Sequence, residues 1–410
     1  MFSLGDCSLL AFLFAGDGES ARFMLILLVV FAGAKLLAEL VELLGMPGLV
    51  GEIAAGILVG PSVLNLVKQN ELPHLAAELG VLFLLFQVGL EVKPRQIFQV
   101  GTTATVVAVA GVVVPFFSGW GILLIWGEPQ IEAVFAGAAM VATSVGITAR
   151  VLSAKGLLNH VSSQTILAAA VIDDVLGLLV LAVVSSMARG GVDIAQLATT
   201  AALAIGFTIV VATLGTRTVG RVFPKVEGRL RAGEIQFNLS VILLFALALL
   251  AARLGVAAII GAFLAGMALS QTVNRRVHDL AQGVTELFVP FFLANIGIQL
   301  NLSALGSPKM MLLAFVILIA AVLSKLVGCG LGAISLGRAN MLRVGLGMVP
   351  RGEVGMVVAQ LGASMGIISP GVYGVVVCMA IFTTILAPPF LNIAYRGTAA
   401  ETPNEEFTIG

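Results

Sequence analysis

Two adjacent carboxylates, Asp173 and Asp174, sit inside an apolar run, ILAAAVIDDVLGLLVLAVV, at residues 166–184. The hydrophobic segment around them extends over about 161–188, so both acids fall near its centre and near the midplane of any bilayer it crosses. An ionisable side chain at that depth costs at least ~2.5 to 3.5 kcal/mol on insertion scales, and such groups face a cavity or a partner and serve function. Consecutive helical residues point about 100° apart. One acid can therefore meet a structural partner while its neighbour faces water.

Three further groups complete a chemical set. Lys325 lies near the middle of a segment at about 309–337, with no other charge between Met310 and Leu336. It requires an anion, and either aspartate would make a buried ion pair whose attraction barely offsets desolvation. Such a pair is weak stabilisation but a ready switch, and because burial penalises charged forms it brings proton exchange near neutral pH within reach. ATSVGITAR (142–150) and PRGEVGMVV (350–358) are polar, glycine-containing interruptions near the centres of two further apolar segments. Broken helices expose carbonyls and half-helix ends to ions. Thr143, Ser144 and Thr148 offer hydroxyl oxygens there, and Arg351 and Glu353 a charged pair. The bland alternative is a Ser/Thr kink and a loop arginine, but Arg351 is too far from either end of its segment to snorkel easily.

Other polar positions read more plainly. Glu52, Glu78 and Glu286 are candidates for a proton relay, with helix-end hydrogen bonding the favoured role. Lys35, Glu39 and Glu42 share one helical stripe and suggest a local ion-pair face. Gln87 and Asn295 suit helix–helix hydrogen bonding. His74, His160 and His278 fall in predicted loops and read as surface histidines, with pH sensing the alternative. Cys7, Cys329 and Cys378 have no paired spacing, which supports neither a disulfide framework nor a zinc site.

These groups must be positioned by membrane helices. The chain is 59% hydrophobic and 11% charged over 410 residues, far below the roughly one-quarter charged of soluble domains. Its 22 basic and 22 acidic residues cancel, so nothing points to a nucleic-acid partner. Hydropathy predicts thirteen spans, at about 22–44, 48–67, 73–91, 100–126, 130–155, 161–188, 193–216, 234–252, 255–272, 283–302, 309–337, 344–368 and 370–395. Residues 1–21 form an N-terminal leader, whose Leu9 to Ala15 run has no basic n-region, and 396–410 an acidic, disordered tail. A basic loop follows the span at 193–216. Lys and Arg concentrate after odd-numbered spans, among them Lys93, Arg95, Lys155, Arg217, Arg221, Arg275, Arg276, Arg338 and Arg343. The positive-inside rule then puts the N-terminus outside and the C-terminus in the cytoplasm.

An internal repeat organises the spans. LLGMPGLVGEIAAGILVG (43–60) matches ARLGVAAIIGAFLAGMALS (252–270) at an offset of 210, aligning Gly45, Gly51, Ala55 and Gly56 with Gly255, Gly261, Ala265 and Gly266. ELGVLFLLFQVGLEV (78–92) matches ELFVPFFLANIGIQL (286–300) at 208, and the same offset brings the two interruptions together. The halves, about 22–188 and 234–395, would lie inverted in the membrane, as in many secondary transporters.

At VIDDVLG (171–177), TSVGITARVL (143–152), Lys325 and PRGEVG (350–355), the sequence resembles the cation:proton antiporter-2 family, most closely its NapA-type sodium/proton antiporters, over about 22–395. The resemblance implies an all-α, inverted-repeat fold with interrupted helices crossing at the midplane, and a homodimer in a bacterial inner membrane. It implies that Asp174 binds Na+ and H+ in turn; sodium prefers oxygen ligands, and Thr143 and Ser144, with neighbouring carbonyls and water, are the further donors expected from the sequence. It pairs Asp173 with Lys325, and leaves Arg351, Glu353 and Glu52 as a supporting charged network. The expected activity is electrogenic Na+/H+ exchange by alternating access without a cofactor; K+/H+ exchange is the alternative and Li+ a further candidate ion. An intramembrane aspartyl protease needs acids converging from two helices, and a midplane lysine and arginine disfavour a cation channel.

Overall fold

A computed structural model describes residues 19–44, 46, 48–67, 74–92, 100–188, 194–227, 234–300, 306–351, 353–396 and 398. Residues 1–18, most of the tail, and Gly45, Lys93 and Arg95 lie outside them, as does Cys7. The described residues are all-helical. They form α1 (Glu19–Leu43), α2 (Gly48–Val59), α3 (His74–Glu91), α4 (Gly101–Trp126), α5 (Gln130–Ala139), α6 (Val145–Ala154), α7 (Val161–Ala188) and α8 (Ile194–Val210). After a π turn at Val211–Gly215 come α9 (Thr216–Glu227), α10 (Ile235–Arg253), α11 (Ala258–Leu269), α12 (Arg275–Ile298), α13 (Pro308–Gly332), α14 (Arg338–Gly347), α15 (Glu353–Ser364) and α16 (Pro370–Ala394). Among the described residues, 7 helices are long and apolar enough to cross a membrane singly, and five apolar helices are shorter.

Several boundaries differ from expectation for local reasons. The interruptions expected in the spans at 130–155 and 344–368 are present and begin slightly earlier than the motifs, after Ala139 and after Gly347, where Ser, Thr, Pro and Gly break the apolar pattern. The first half of the expected basic loop is the helix α9, strongly amphipathic, with Arg217 and Arg221 exposed and Phe223 buried. Helix α12 starts at Arg275, so Arg275, Arg276 and His278 sit in its first turn rather than in a loop, and His74 opens α3. A hydropathy window cannot see a charged first turn, because the turn is polar where it leaves the apolar layer.

The chain divides into two compact units: the described residues of Met1–Gly80 with Leu287–Ser303, and of Val81–Glu286 with Ala304–Gly410. In the first, Ile26, Val30, Val59, Val67, Phe291, Ala294 and Ile298 form an apolar core. Lys35 reaches from α1 to Glu52 of α2 at 2.9 Å. The stripe with Glu39 and Glu42 thus gives way to an interhelical pair, and Glu52 has its described partner in Lys35.

Glycine contacts recur at two sites of each kind. Gly51 lies on the Leu37 carbonyl and Ala38 Cα, while Gly261 lies on the Leu247 carbonyl and Ala248 Cα. Gly56 meets the Ala294 carbonyl of α12 in the first unit; Gly266 meets the Phe86 carbonyl of α3 in the second. A Cβ at any of these four would collide with backbone, so only glycine lets the helices approach this closely. Helix bounds recur as well: α2 and α11 start and stop 210 residues apart, and α5 and α14 start and stop 208 apart.

Candidate ion site

The second unit gathers the charged residues. On α7, Asp173 and Asp174 are both buried, and Lys325 of α13 brings Nζ to 3.3 and 3.4 Å from the Asp173 carboxylate oxygens. Both partners of that pair are fully sequestered. Close packing of α13 on α4 makes the reach possible: Gly328 and Gly332 face the α4 backbone, and a Cβ on Gly111 would stand 3.1 Å from Lys325 Nζ and 2.7 Å from Cys329 Sγ. Gly111 is therefore the space through which the lysine passes.

Asp174 points elsewhere. It is the one charged residue lining a small cavity bounded by Leu85 of α3, Val145 of α6, Leu167 and Val171 of α7, and Ile259, Ile260 and Phe263 of α11. Val145 directly follows Ser144. The Thr143 and Ser144 hydroxyls are buried and have no hydrogen-bond partner among the described residues, and Ser144 occupies the N-cap of α6 without capping it. Buried hydroxyls are rarely left unsatisfied without reason. Thr143 and Ser144 do not line that cavity themselves; they precede Val145, which does, and hydroxyl and carboxylate oxygens are the ligand types that a desolvated monovalent cation takes.

The two chain breaks are laced together. The Ser144 amide donates to the Pro350 carbonyl at 2.8 Å, and Thr148 Oγ1 donates to the Gly347 carbonyl at 2.6 Å. Arg351, fully buried, donates from Nη1 to the Val141 and Ala142 carbonyls at 3.0 and 3.3 Å and from Nη2 to the Ala321 carbonyl at 3.3 Å. The guanidinium thus sits at the C-terminal, negative end of α5 and one turn before Lys325 on α13. Sequence reasoning expected the carbonyls of this break to face an ion; two of them face Arg351 instead. The Glu353 side chain lies outside the described residues, so the expected Arg351–Glu353 pairing has no geometry to report.

Thr383 and Thr384 of α16 escaped sequence reading. Thr383 Oγ1 accepts from the Arg351 amide at 3.2 Å, and Thr384 Oγ1 donates to the Arg351 carbonyl at 2.7 Å. The available signal was a TT pair inside an apolar span. Glu132 was also passed over: buried on α5, it accepts from the Ser369 amide at 2.7 Å, at the N-terminal end of α16, where a carboxylate is favoured.

Residues 25–395 match the family described as sodium/hydrogen exchanger, transmembrane. The chain belongs to this family. It is similar to the high-affinity Na+/H+ antiporter NhaS3 of Synechocystis, 34% identical over 94% of this chain and 92% of that one. It is also similar to the Na+/H+-K+ antiporter GerN of Bacillus cereus, 32% identical over 91% and 96% of the two chains. Among solved structures, the sodium proton antiporter MjNhaP1 of Methanocaldococcus jannaschii superposes with a TM-score of 0.69 at 18% identity, covering 93% of this chain and 99% of that one, and so shares the fold. Membership settles the class: this exchanger is a membrane transporter and not an enzyme, and its paired aspartates are not a protease dyad.

Proposed function

We propose that this exchanger is a secondary antiporter coupling a monovalent cation, Na+ in the first instance, to protons, with both ions competing for Asp174. The observation that carries this reading is the division of labour on α7: Asp173 is committed to Lys325, while Asp174 lines a separate cavity together with Val145, the residue that follows Ser144. Na+ can settle on Asp174 only when the carboxylate has lost its proton, and a returning proton displaces the ion. Coupling then needs no contact between the two.

Charge bookkeeping sets the stoichiometry. With the Asp173–Lys325 pair intact, Asp174 is neutralised equally by Na+ or H+, and a one-for-one cycle moves no net charge. If Na+ draws in both aspartates and Lys325 gives up its proton, two protons return for each Na+ and the cycle is electrogenic. The fully buried Asp173–Lys325 pair supports the second course, since separating it leaves a buried ammonium that sheds its charge most cheaply as a proton. GerN, whose name includes K+, keeps K+/H+ exchange as the second reading.

Two inverted repeats, about 22–188 and 234–395, joined by the span at 193–216 and the basic stretch after it, account for the recurring helix bounds and glycine contacts. In this scheme thirteen spans cross the membrane, the broken pairs α5/α6 and α14/α15 crossing at the midplane; the N-terminus is outside and the C-terminus in the cytoplasm. Alternating access follows from movement of the unit with the broken helices against a dimeric scaffold in a bacterial inner membrane.

Sealed proteoliposomes with an imposed pH gradient test the assignment. Na+ or Li+ should dissipate the gradient. A response to K+ would move the assignment to K+/H+ exchange, and no response to any of the three in folded protein would overturn it.

A further inference from the structure

Glu132 sits in the first turn of α5, buried, and among the described residues its only hydrogen-bond partner is the Ser369 amide at 2.7 Å. Ser369 is the N-cap of α16, with Pro370 after it, and its own Oγ accepts from the Val372 amide at 3.3 Å. In a capping box the N-cap hydroxyl takes that amide three residues on, and an acid at the same third position reaches back to the N-cap amide. Here the third position is Val372, which has nothing to reach back with. Glu132 supplies the missing acid from another helix, so α5 completes the cap of α16. At 2.7 Å the bond has the length of a charge-assisted one, and the N-terminal end of α16 favours a carboxylate.

The cap is one joint of a closed frame. Further along α16, Thr383 Oγ1 accepts from the Arg351 amide and Thr384 Oγ1 donates to the Arg351 carbonyl. Arg351 in turn donates from Nη1 to the Val141 and Ala142 carbonyls, just past the C-terminus of α5. Helices α5 and α16 are thus joined at both ends of α5, through Glu132 at the first turn and through Arg351 at the break. Between the joints α15 lies along α5: a Cβ on Gly362 would stand 2.8 Å from the Phe135 ring, and one on Gly355 2.7 Å from the Ala139 carbonyl. The break that the frame holds leads directly into Val145, a wall of the cavity lined by Asp174.

We propose that Glu132 is a positioning residue for exchange: from the far end of α5 it sets where the break, with Thr143 and Ser144, stands beside the Asp174 cavity. It acts through α5 and α16 and does not touch the ion. Seven residues, or ~10 Å of helix, separate Glu132 from Ala139 at the end of α5. A short helix joined at both ends and packed along its length has no freedom to slide; one released at its first turn does.

This inference rests on the reading of Asp174 as the shared ion and proton site, and two readouts keep the two apart. Apparent KM for Na+ and for Li+ and the maximal rate are measured in proteoliposomes. Glu132→Ala should raise the KM for Na+ about tenfold, as loss of one ligand would, and change the ratio of the Li+ and Na+ values, because a displaced break alters the fit of ions of different size. Glu132→Gln, whose amide oxygen still accepts from the Ser369 amide, should keep both near wild type. Thr384→Val opens the frame at its other joint and should also raise KM. Ser369 and Thr384 lie ~22 Å apart along α16, a separation at which effects ordinarily multiply. Opening either joint already frees α5, so the double variant should be no worse than the worse single one. A folded Glu132→Ala with reduced maximal rate but unchanged KM and ion ratio, or KM effects that multiply in the double variant, would overturn the proposal. If Glu132→Ala does not fold, Glu132→Asp, one methylene short, carries the same expectation at smaller size and the same refutation. The second readout needs no ion: amide deuterium uptake over 138–146 in Na+-free protein should rise in Glu132→Ala and not in Glu132→Gln. Unchanged uptake would overturn the frame, whereas exchange activity in Asp174→Asn would sink the Asp174 reading whatever the Glu132 variants do.

Discussion

Removing Lys325 should expose how the dry ion pair works. Lys325→Met deletes the ammonium 3.3 Å from Asp173, in a pair with no solvent exposure on either partner. Breaking a buried pair from one side costs ~3–5 kcal/mol because an uncompensated charge remains, whereas replacing both partners by uncharged groups is close to neutral. The single variants Lys325→Met and Asp173→Asn should each lose thermal stability in detergent at pH 8, and the double variant should recover most of it. With each single variant ~3–5 kcal/mol down and the double near neutral, the coupling approaches the sum of the two single costs, ~6–10 kcal/mol at most. The cycle is read by thermal unfolding with ligand-free protein. Charge movement is read in the same variants by solid-supported membrane electrophysiology, where Lys325→Met should lose the Na+-driven current while retaining part of the Na+-driven pH signal. Additive losses in the cycle, or an undiminished current, would refute the reasoning.

Three other outcomes follow from the geometry. Thr143→Ala and Ser144→Ala should each raise the KM for Na+ about tenfold, the ~1.4 kcal/mol of one lost ligand, and change melting by little, because neither hydroxyl has a partner among the described residues; a large melting shift with unchanged KM would reassign them to structure. Gly111→Ala should depress the current more than the pH signal, since the added methyl crowds Lys325 Nζ, and Gly111→Val should be worse; normal currents in both would show that the lysine does not need this path. Gly56→Ala and Gly266→Ala should reduce folded yield to a similar degree, each meeting a backbone carbonyl, as judged by size-exclusion recovery, while tolerance of either would remove a support for the inverted repeat.

Much of this site was legible because it breaks rules. Two acids, a lysine and an arginine in apolar runs need partners whatever the fold, and charge alone predicts that one acid takes the lysine. The helix breaks were legible for the same reason: TSVG and PRGE interrupt otherwise apolar segments. Pattern reading failed where a residue's environment depends on a distant element. Thr383 and Thr384 look like ordinary span threonines until α16 is laid beside the Arg351 backbone. Glu132 resembles a loop-end acid until the Ser369 amide meets it. His160 reads as a surface histidine because its partners come from residues 162, 343 and 395, far apart in the chain. The helix α9 hid behind its own charge, since a basic stretch after a span reads as loop unless its helical periodicity is examined.

The most direct test of shared binding is proton release on Na+ addition to the purified protein in unbuffered detergent solution at pH 8. Competition for Asp174 predicts that NaCl acidifies the solution by one to two protons per protein, that choline chloride does not, and that Asp174→Asn, shown to be folded, is silent. Na+ binding without proton release, or equal release from Asp174→Asn, would contradict the account.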